Sequence, residues 1–517
     1  MKLCGSGWQH SSGLHLLGHL LSAAQESLKR FTGDSPVAEV EAWLTRANGC
    51  FALVFEGKGY TLAAVDRIRS IPLFYTADGL LADRSEAIDP LQISHIRDQD
   101  RAVWEEFLIT GFVSGNDTLH PKIFQIPAGH YLLLRDGQKP VLKAYFKYRH
   151  DKESSLSEKD LSAQLHEIHR NTTERLIASL NGRSAVIPLS GGWDSRLIAY
   201  LLKRAQYPAI YAFSYEAKGN AEARISRKVA KHLNIPWLFV EHTHKSWYQA
   251  YFSNERKQHY KYAVNATSSA HIQDWLAVKE LKSRKLIPHD SVFIPGHTGD
   301  FLQSGHLPAV YRDATEFSRH ELVEQILARH YRLWKHPSRE ETTRFRQRIE
   351  RYLDIPEQMS AMDAASLYEY WELQERQAKF IVNSVRVYED LGYDWRLPLW
   401  DAELMDFWAE VPLKLRLGRR LWHLYQQQYL PIPVPVFKNL NWPLRARNKL
   451  LRIAFGEITD VRYGRFAEFR NPLQYAGERV QSYLRPELEY PSFIDPKLPL
   501  IRCDMNALQA LRAIFEL

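Results

Sequence analysis

The stretch from Ala185 to Arg204 constrains this chain more than any other. Ala185-Val186-Ile187-Pro188-Leu189 is a short apolar run that reads as a buried strand. Ser190-Gly191-Gly192-Trp193-Asp194-Ser195-Arg196 follows directly. From Trp193 to Arg204 the apolar residues Leu197, Ile198, Leu201 and Leu202 form a helical stripe. A strand, a turn with two consecutive glycines and a helix place a loop at the C-terminal end of a parallel strand. Open α/β sheets bind their ligands there.

The alternation continues downstream. Ala209–Phe213, Trp237–Val240 and Val292–Ile294 read as further strands, with helices over Ala221–Leu233 and near Ala270–Leu281. Strand–helix alternation predicts a parallel sheet covered on both faces. Long amphipathic stretches from about residue 315 to 430 predict a helical part that closes the unit. Before residue 145 the pattern is different. Short runs such as Phe51–Phe55 and Tyr60–Val65 flank a Gly-containing loop and read as a hairpin. Ile71–Tyr75, Gly79–Ala82 and His130–Leu134 continue the strand-like pattern. Leu14–Leu21, interrupted by two histidines, reads as a buried helix rather than a signal peptide. The polar stretch from Tyr148 to Asp160 marks a boundary. The chain is therefore expected to be α/β, with an α+β domain over residues 1–148 and a parallel-sheet domain over 160–517. The tail from Asn439 to Leu517 is too mixed to assign.

Composition narrows the class without choosing a function. At 45% apolar and 25% charged residues, a disordered or fibrous chain is excluded. The net charge of +8 over 517 residues is mild and fits an anionic ligand without requiring one. Cys4, Cys50 and Cys503 are too few and too widely spaced for a disulfide framework, which favours a reducing, cytoplasmic setting. No apolar run is long enough for a membrane span. The histidines form no tight ligand spacing, so no zinc is expected. The basic clusters Arg344–Arg348 and Leu444–Lys449 read as solvated helix faces rather than nucleic-acid contacts.

The loop at residues 190–195 carries the chemistry. Gly191 and Gly192 let the backbone turn tightly and approach a ligand, and Ser190 and Ser195 add hydroxyl donors. Free N–H groups at the helix start favour an anion. Asp194 would repel phosphate unless a cation lies between them, and Mg²⁺ is the hard, oxygen-seeking choice. No Gly-Lys-Ser/Thr follows, so the loop is not a Walker A sequence.

Ser190-Gly191-Gly192-Trp193-Asp194-Ser195 resembles the SGGxDS loop of the N-type ATP pyrophosphatases, and the chain more specifically resembles the asparagine synthetase family. Further segments carry the likeness in the family's order. Asn48–Ala52, Val65–Tyr75, Phe107–Val113 and Ile126–Tyr131 are similar to its N-terminal, glutamine amidotransferase-like domain of Ntn-hydrolase type. Gly296-His297-Thr298-Gly299-Asp300 and Arg396-Leu397-Pro398-Leu399-Trp400-Asp401 are similar to later segments of its synthetase domain. The likeness spans roughly residues 40 to 431.

The resemblance implies an ATP-dependent, amide-forming ligase. A carboxylate attacks the α-phosphate of ATP, pyrophosphate leaves, and an amine then displaces AMP. It implies pyrophosphate binding by Ser190, Gly191, Gly192, Asp194 and Ser195, with Gly296 also at the nucleotide. Mg²⁺ would be held by Asp194 and Asp300, and adenine by Leu189 and Phe213. The implied partners are a small carboxylate, either aspartate or a sugar or other small acid, and a nitrogen donor: ammonia, glutamine or an amine. Neither a membrane nor nucleic acid is implied, and a homodimer is compatible with the pattern.

This chain departs from the family at three places. His297 stands where an acidic residue is usual and is a candidate acid/base or substrate contact. Arg419 stands at the position of a catalytic lysine and can neutralise phosphate by bidentate donation. Cys4, followed by Gly5, corresponds to the glutaminase nucleophile, but three residues precede it. The Asn-Gly-Glu loop that binds glutamine has no clear copy. A degenerate N-terminal domain kept as a structural partner is therefore expected. Two other functions stay open at this point: adenylation of a non-carboxylate oxygen, and a catalytically inactive scaffold on the same fold.

Overall fold

A computed structural model of the chain describes residues 1–5, 7–21, 23–89, 101–331 and 337–434. The first half is built on antiparallel strands: β1 (Gln9–Ser11), β2 (Leu14–Leu20), β3 (Gly49–Gly57), β4 (Tyr60–Val65), β5 (Phe74–Thr76), β6 (Leu81–Ala82), β7 (Ile123–Gln125), β8 (His130–Leu134) and β9 (Val141–Ala144). They form a six-stranded sheet in the order β1-β2-β3-β4-β8-β9 and a three-stranded sheet in the order β6-β5-β7. Helix α1 (Val37–Arg46) buries Val40, Trp43 and Leu44. These residues join Phe51, Leu53 and Phe55 of β3 in one apolar cluster.

The second half opens with α2 (Glu158–Leu180), whose Ser157 cap accepts the backbone N–H of Asp160. The order is then β10 (Ala185–Pro188), α3 (Asp194–Arg204), β11 (Ile210–Glu216), α4 (Ala221–His232), β12 (Trp237–Glu241), α5 (Trp275–Ser283), β13 (Val292–Phe293) and α6 (Gly299–Leu302). Next come β14 (Glu316–Ser318), α7 (Arg319–His330), α8 (Arg339–Tyr352), β15 (Gln358–Ser360), α9 (Ala361–Glu372), β16 (Asp394–Trp395) and α10 (Arg420–Tyr429). The five-stranded sheet β12-β11-β10-β13-β16 is parallel throughout. The chain is α/β, as its alternation predicts.

The two halves share a core. Val54, Val65 and Ile126 belong to the same buried cluster as Leu165, Ile187 and Phe293. Polar contacts tie them as well: Asn48 Nδ2 donates to Asp401 at 3.0 Å, and Arg67 pairs with Asp406 at 2.6 Å. After α9 the helix widens into a π-helical stretch, Leu373–Ile381. There the Lys379 ammonium donates to the carbonyls of Val113 (2.7 Å) and Gly115 (2.8 Å) in the first half.

Two local expectations are corrected. Leu14–Leu20 is a strand, not a helix. It pairs with β1 on one side and β3 on the other, and a Cβ at Gly18 would lie 2.2 Å from the Cys50 carbonyl oxygen. The close approach of β3 at that glycine fits sheet pairing, and an apolar run this short carries no decisive period. Tyr148 and His150, at the start of the polar stretch, are 1% exposed, and α2 begins within it at Glu158. Helix α5 begins at Trp275, five residues later than expected. The cluster Leu444–Lys449, Cys503 and the tail lie outside the described residues.

Candidate active site

The loop after β10 folds on its own hydroxyls. Ser190 N–H donates to Ser195 Oγ at 3.0 Å, and Gly192 N–H donates to Ser190 Oγ at 3.1 Å. Ser195, at the first turn of α3, is buried, while Ser190 is exposed at the rim. The Gly191 N–H donates to Glu222 Oε1 at 3.2 Å, from the first turn of α4. This contact between loop and carboxylate is invisible in the sequence pattern.

The loop after β13 packs directly on this one. A Cβ at Gly296 would lie 2.7 Å from the Ser195 nitrogen, and one at Gly299 would lie 2.8 Å from Asp194 Oδ1. Both positions therefore require glycine for the two loops to meet. Asp300 N–H donates to Asp194 Oδ2 at 3.0 Å. Burial, and then the Asp300 charge, push the Asp194 carboxyl up to about 7, with Arg419 pulling the other way.

Arg419 reaches this pair from the start of α10. Gly418 and Arg419 both adopt left-handed backbone, with φ of 66° and 60°. The Arg419 guanidinium donates to Gln303 Oε1. A Cβ at Gly305 would touch both the Asp300 carbonyl oxygen (2.8 Å) and Arg419 Cδ (3.2 Å), so Arg419 lies over the turn that follows Asp300.

His306 closes that turn. Its Nε2 lies 3.1 Å from Asp300 Oδ2 and its Nδ1 lies 2.5 Å from Glu372 Oε1. Burial works against the imidazolium, but Glu372 and Asp300 outweigh it and raise its pKa to about 9. Glu372, fully buried at the end of α9, also accepts from Gln377 Nε2 at 3.1 Å. His297 lies on the other side, with Nδ1 3.2 Å from Ser384 Oγ. Burial, and then the neighbouring His271, hold it down at about 4, so it is neutral at pH 7.

Ser190, Gly191, Gly192, Asp194, Ser195, Gly296, Asp300 and Arg419 thus come together beyond the C-terminal ends of β10 and β13, two interior strands of the parallel sheet. Leu189, directly after β10, and Phe213, in the neighbouring strand β11, are joined where the Leu189 N–H donates to the Phe213 carbonyl at 2.8 Å. They are 1% and 0% exposed, and Phe213 packs edge-on against Phe293 at 5.9 Å. Cys4 sits elsewhere, its thiol exposed and its N–H donating to Asp83 Oδ1 at 2.9 Å. Gly5 and Trp8 donate to the same carboxylate. Sequence reading misses Glu222, His306 and Glu372. No motif marks them, and Glu372 stands 66 positions from the histidine it holds.

The oxygen donors at Asp194 and Asp300 fit a hard divalent cation. Two carboxylates crowd together with one raised to about 7, a penalty that a cation between them would remove. Among the described residues no cluster of three His, Cys, Asp or Glu could hold a metal alone. An ion here would complete its shell with substrate phosphate and water, as Mg²⁺ commonly does. Among the described residues no helix is long and apolar enough to cross a membrane.

Residues 182–428 match the asparagine synthase family model, a span that includes Asp194, Asp300, His306 and Arg419 but not Cys4. No curated protein sequence matches the chain. Among solved structures it is similar to an NH3-dependent NAD synthetase from Campylobacter jejuni, at 20% identity over 27% of this chain and 59% of that one, with a TM-score of 0.19. It is also similar to the glutamine phosphoribosylpyrophosphate amidotransferase of B. subtilis, at 12% identity over 56% and 62%, with a TM-score of 0.17. A third is an allosteric regulatory enzyme of purine biosynthesis, at 13% identity over 56% of each chain, with a TM-score of 0.18. The chain spans less than two thirds of each.

Proposed function

We propose that this protein is an ATP-dependent, amide-forming ligase that adenylates a small carboxylate and releases pyrophosphate. The observation that carries this reading is the meeting of Asp194, Asp300 and Arg419 at the Ser190–Ser195 loop. Two acids and one guanidinium around a glycine turn suit a departing pyrophosphate better than they suit a neutral ligand. In the first step a carboxylate oxygen bonds to the α-phosphorus, and the bond from that phosphorus to the oxygen it shares with the β-phosphorus breaks, so that this oxygen leaves with pyrophosphate. In the second step an amine nitrogen bonds to the acyl carbon, AMP leaves, and the nitrogen loses a proton.

Each residue has a separate task in this reading. The loop amides and the hydroxyls of Ser190 and Ser195 bind the β- and γ-phosphates. Asp194 and Asp300 would hold Mg²⁺, which when bound neutralises charge on the phosphates. Arg419 offsets the charge that grows on pyrophosphate as it leaves. His297, neutral at pH 7, is suited to donate or accept one hydrogen bond to the acid or the amine. Tight docking of the first half, with Cys4 bound through its amide to Asp83, supports a structural role for residues 1–148. Residues 160–517 then form the synthetase unit, with ammonia or an amine as the nitrogen donor.

The test is pyrophosphate and AMP release from Mg·ATP by the purified protein, with a panel of carboxylates, ammonium or glutamine, and Asp194→Ala as control. Release that needs a carboxylate and disappears in the variant supports the reading. Equal release in Asp194→Ala overturns it.

A further inference from the structure

Two carboxylates stand one turn apart at the end of α9, Glu369 and Glu372, at 1% and 0% exposure. Residues three apart on a helix share a face. Each carboxylate grips a different cationic or imidazole group. Glu372 holds His306 Nδ1 at 2.5 Å, and His306 in turn holds Asp300 Oδ2 at 3.1 Å. Glu369 pairs with the Arg416 guanidinium and with His150 Nε2 at 2.9 Å.

Arg416 is fully buried and works in two directions. Its Nη1 donates to Ser304 Oγ at 3.0 Å, and its Nε donates to the Val411 carbonyl at 2.9 Å. Ser304 belongs to the turn between Asp300 and His306. Arg416 also begins the short bend Leu417–Arg419, whose left-handed residues aim Arg419 back over Gly305.

We infer that the last turn of α9 is the positioning element of the site: Glu372 sets Asp300 through His306, and Glu369 sets Arg419 through Arg416. Neither glutamate reaches the loop itself, so both are positioning residues. Buried carboxylates with several partners fix geometry because each alternative arrangement leaves a charge unpaired in a dry interior. The inference rests on the proposed roles of Asp300 and Arg419, but its two arms can be read without turnover.

The experiment uses the full chain with Glu372→Gln and Glu369→Gln. One probe is Mn²⁺ as a stand-in for Mg²⁺, followed by electron paramagnetic resonance. The other is inorganic pyrophosphate, titrated by calorimetry at saturating Mn²⁺. Glu372→Gln is expected to weaken Mn²⁺ roughly tenfold or more, the usual effect of losing a partner behind a metal ligand. Glu369→Gln is expected to weaken pyrophosphate by roughly tenfold and to leave Mn²⁺ affinity within about twofold, since an arginine–phosphate contact is charge-assisted. The crossed pattern is what general loosening of the fold would not produce. Equal changes of both constants in both variants, or no change in either, overturn the inference. If a glutamine variant does not fold, His306→Gln and Arg416→Lys report on the same two arms. Wild-type protein that binds both probes but releases no pyrophosphate with any acid refutes the proposed reaction and leaves this inference standing. Wild-type protein that binds neither probe refutes both.

Discussion

The backbone N–H of Asp300 donates to Asp194 Oδ2 at 3.0 Å, joining two loops 106 residues apart in the chain. The bond fixes the distance between two carboxylates that repel each other. Burial and Asp300 raise the Asp194 pKa from 3.8 to about 7, so ionising it costs folding free energy. A group raised in this way contributes stability below about pH 4 that is lost as the pH rises through 7. Asp194→Asn keeps an oxygen acceptor for the Asp300 N–H and removes the charge. In chelator at about pH 8 the variant is expected to melt at a higher temperature than the parent, with the advantage shrinking between about pH 7 and 4. Each pKa unit is worth about 1.4 kcal/mol. Pyrophosphate release should fall by roughly 10²–10³-fold in the same protein. A variant that melts no higher at about pH 8 would mean the carboxylate pair carries no such strain.

Glu222 occupies an amide that an anion would need. Its Oε1 accepts the Gly191 N–H at 3.2 Å, inside the loop assigned to pyrophosphate. Phosphate oxygens must displace this carboxylate or suffer its charge. Glu222→Ala is expected to tighten Mg·ATP several-fold, a half-buried charge effect of about 1 kcal/mol. It should cost a few tenths of a kcal/mol in stability, because the side chain also stands at the positive end of α4. Calorimetric titration reads the first effect and urea unfolding the second. Weaker ATP binding in Glu222→Ala would instead make Glu222 part of the binding site.

Lys379 is one of the buried charges that join the two halves. It is fully buried, pairs with Glu375 and donates to two carbonyls of the first half. Glu375 also accepts the Gly115 N–H at 3.0 Å. Lys379→Met leaves Glu375 without its cation and is expected to cost about 3–5 kcal/mol in urea unfolding. Adding Glu375→Gln should recover part of that loss, since the remaining charge is then gone. A loss under about 1 kcal/mol in the single variant would show that water reaches the pair.

The loop at residues 190–195 is legible in the sequence because three local signals agree there: an apolar run, two glycines and an amphipathic stripe. The parallel sheet follows from the same alternation. Leu14–Leu20 misleads because seven residues carry too little periodicity, and its state is decided by pairing with β1 and β3. The supporting groups are hidden for a different reason. His306 and Glu372, or Arg416 and Glu369, lie 66 and 47 positions apart and meet only through the tertiary fold.

Histidine burial gives the chain a stability optimum with two limbs. Burial, as the largest influence, holds His169 and His330 at about 3 and His130 and His242 at about 4. Each is neutral when folded and protonates near 6.5 when unfolded. Stability is therefore lost as the pH falls from about 6.5 toward 4, by about 1.4 kcal/mol per pH unit for each such group. His306 has the opposite sign. Raised to about 9, it contributes stability that is complete below 6.5 and lost as the pH rises through 9. Thermal melts between about pH 4.5 and 9.5 should peak near neutrality. His169→Gln should flatten the acid limb above about pH 4.5, where few carboxylates titrate, and leave the alkaline limb unchanged. His306→Gln should do the reverse. An acid limb that begins only below about pH 4.5 would mean that carboxylates, and not the buried imidazoles, set it.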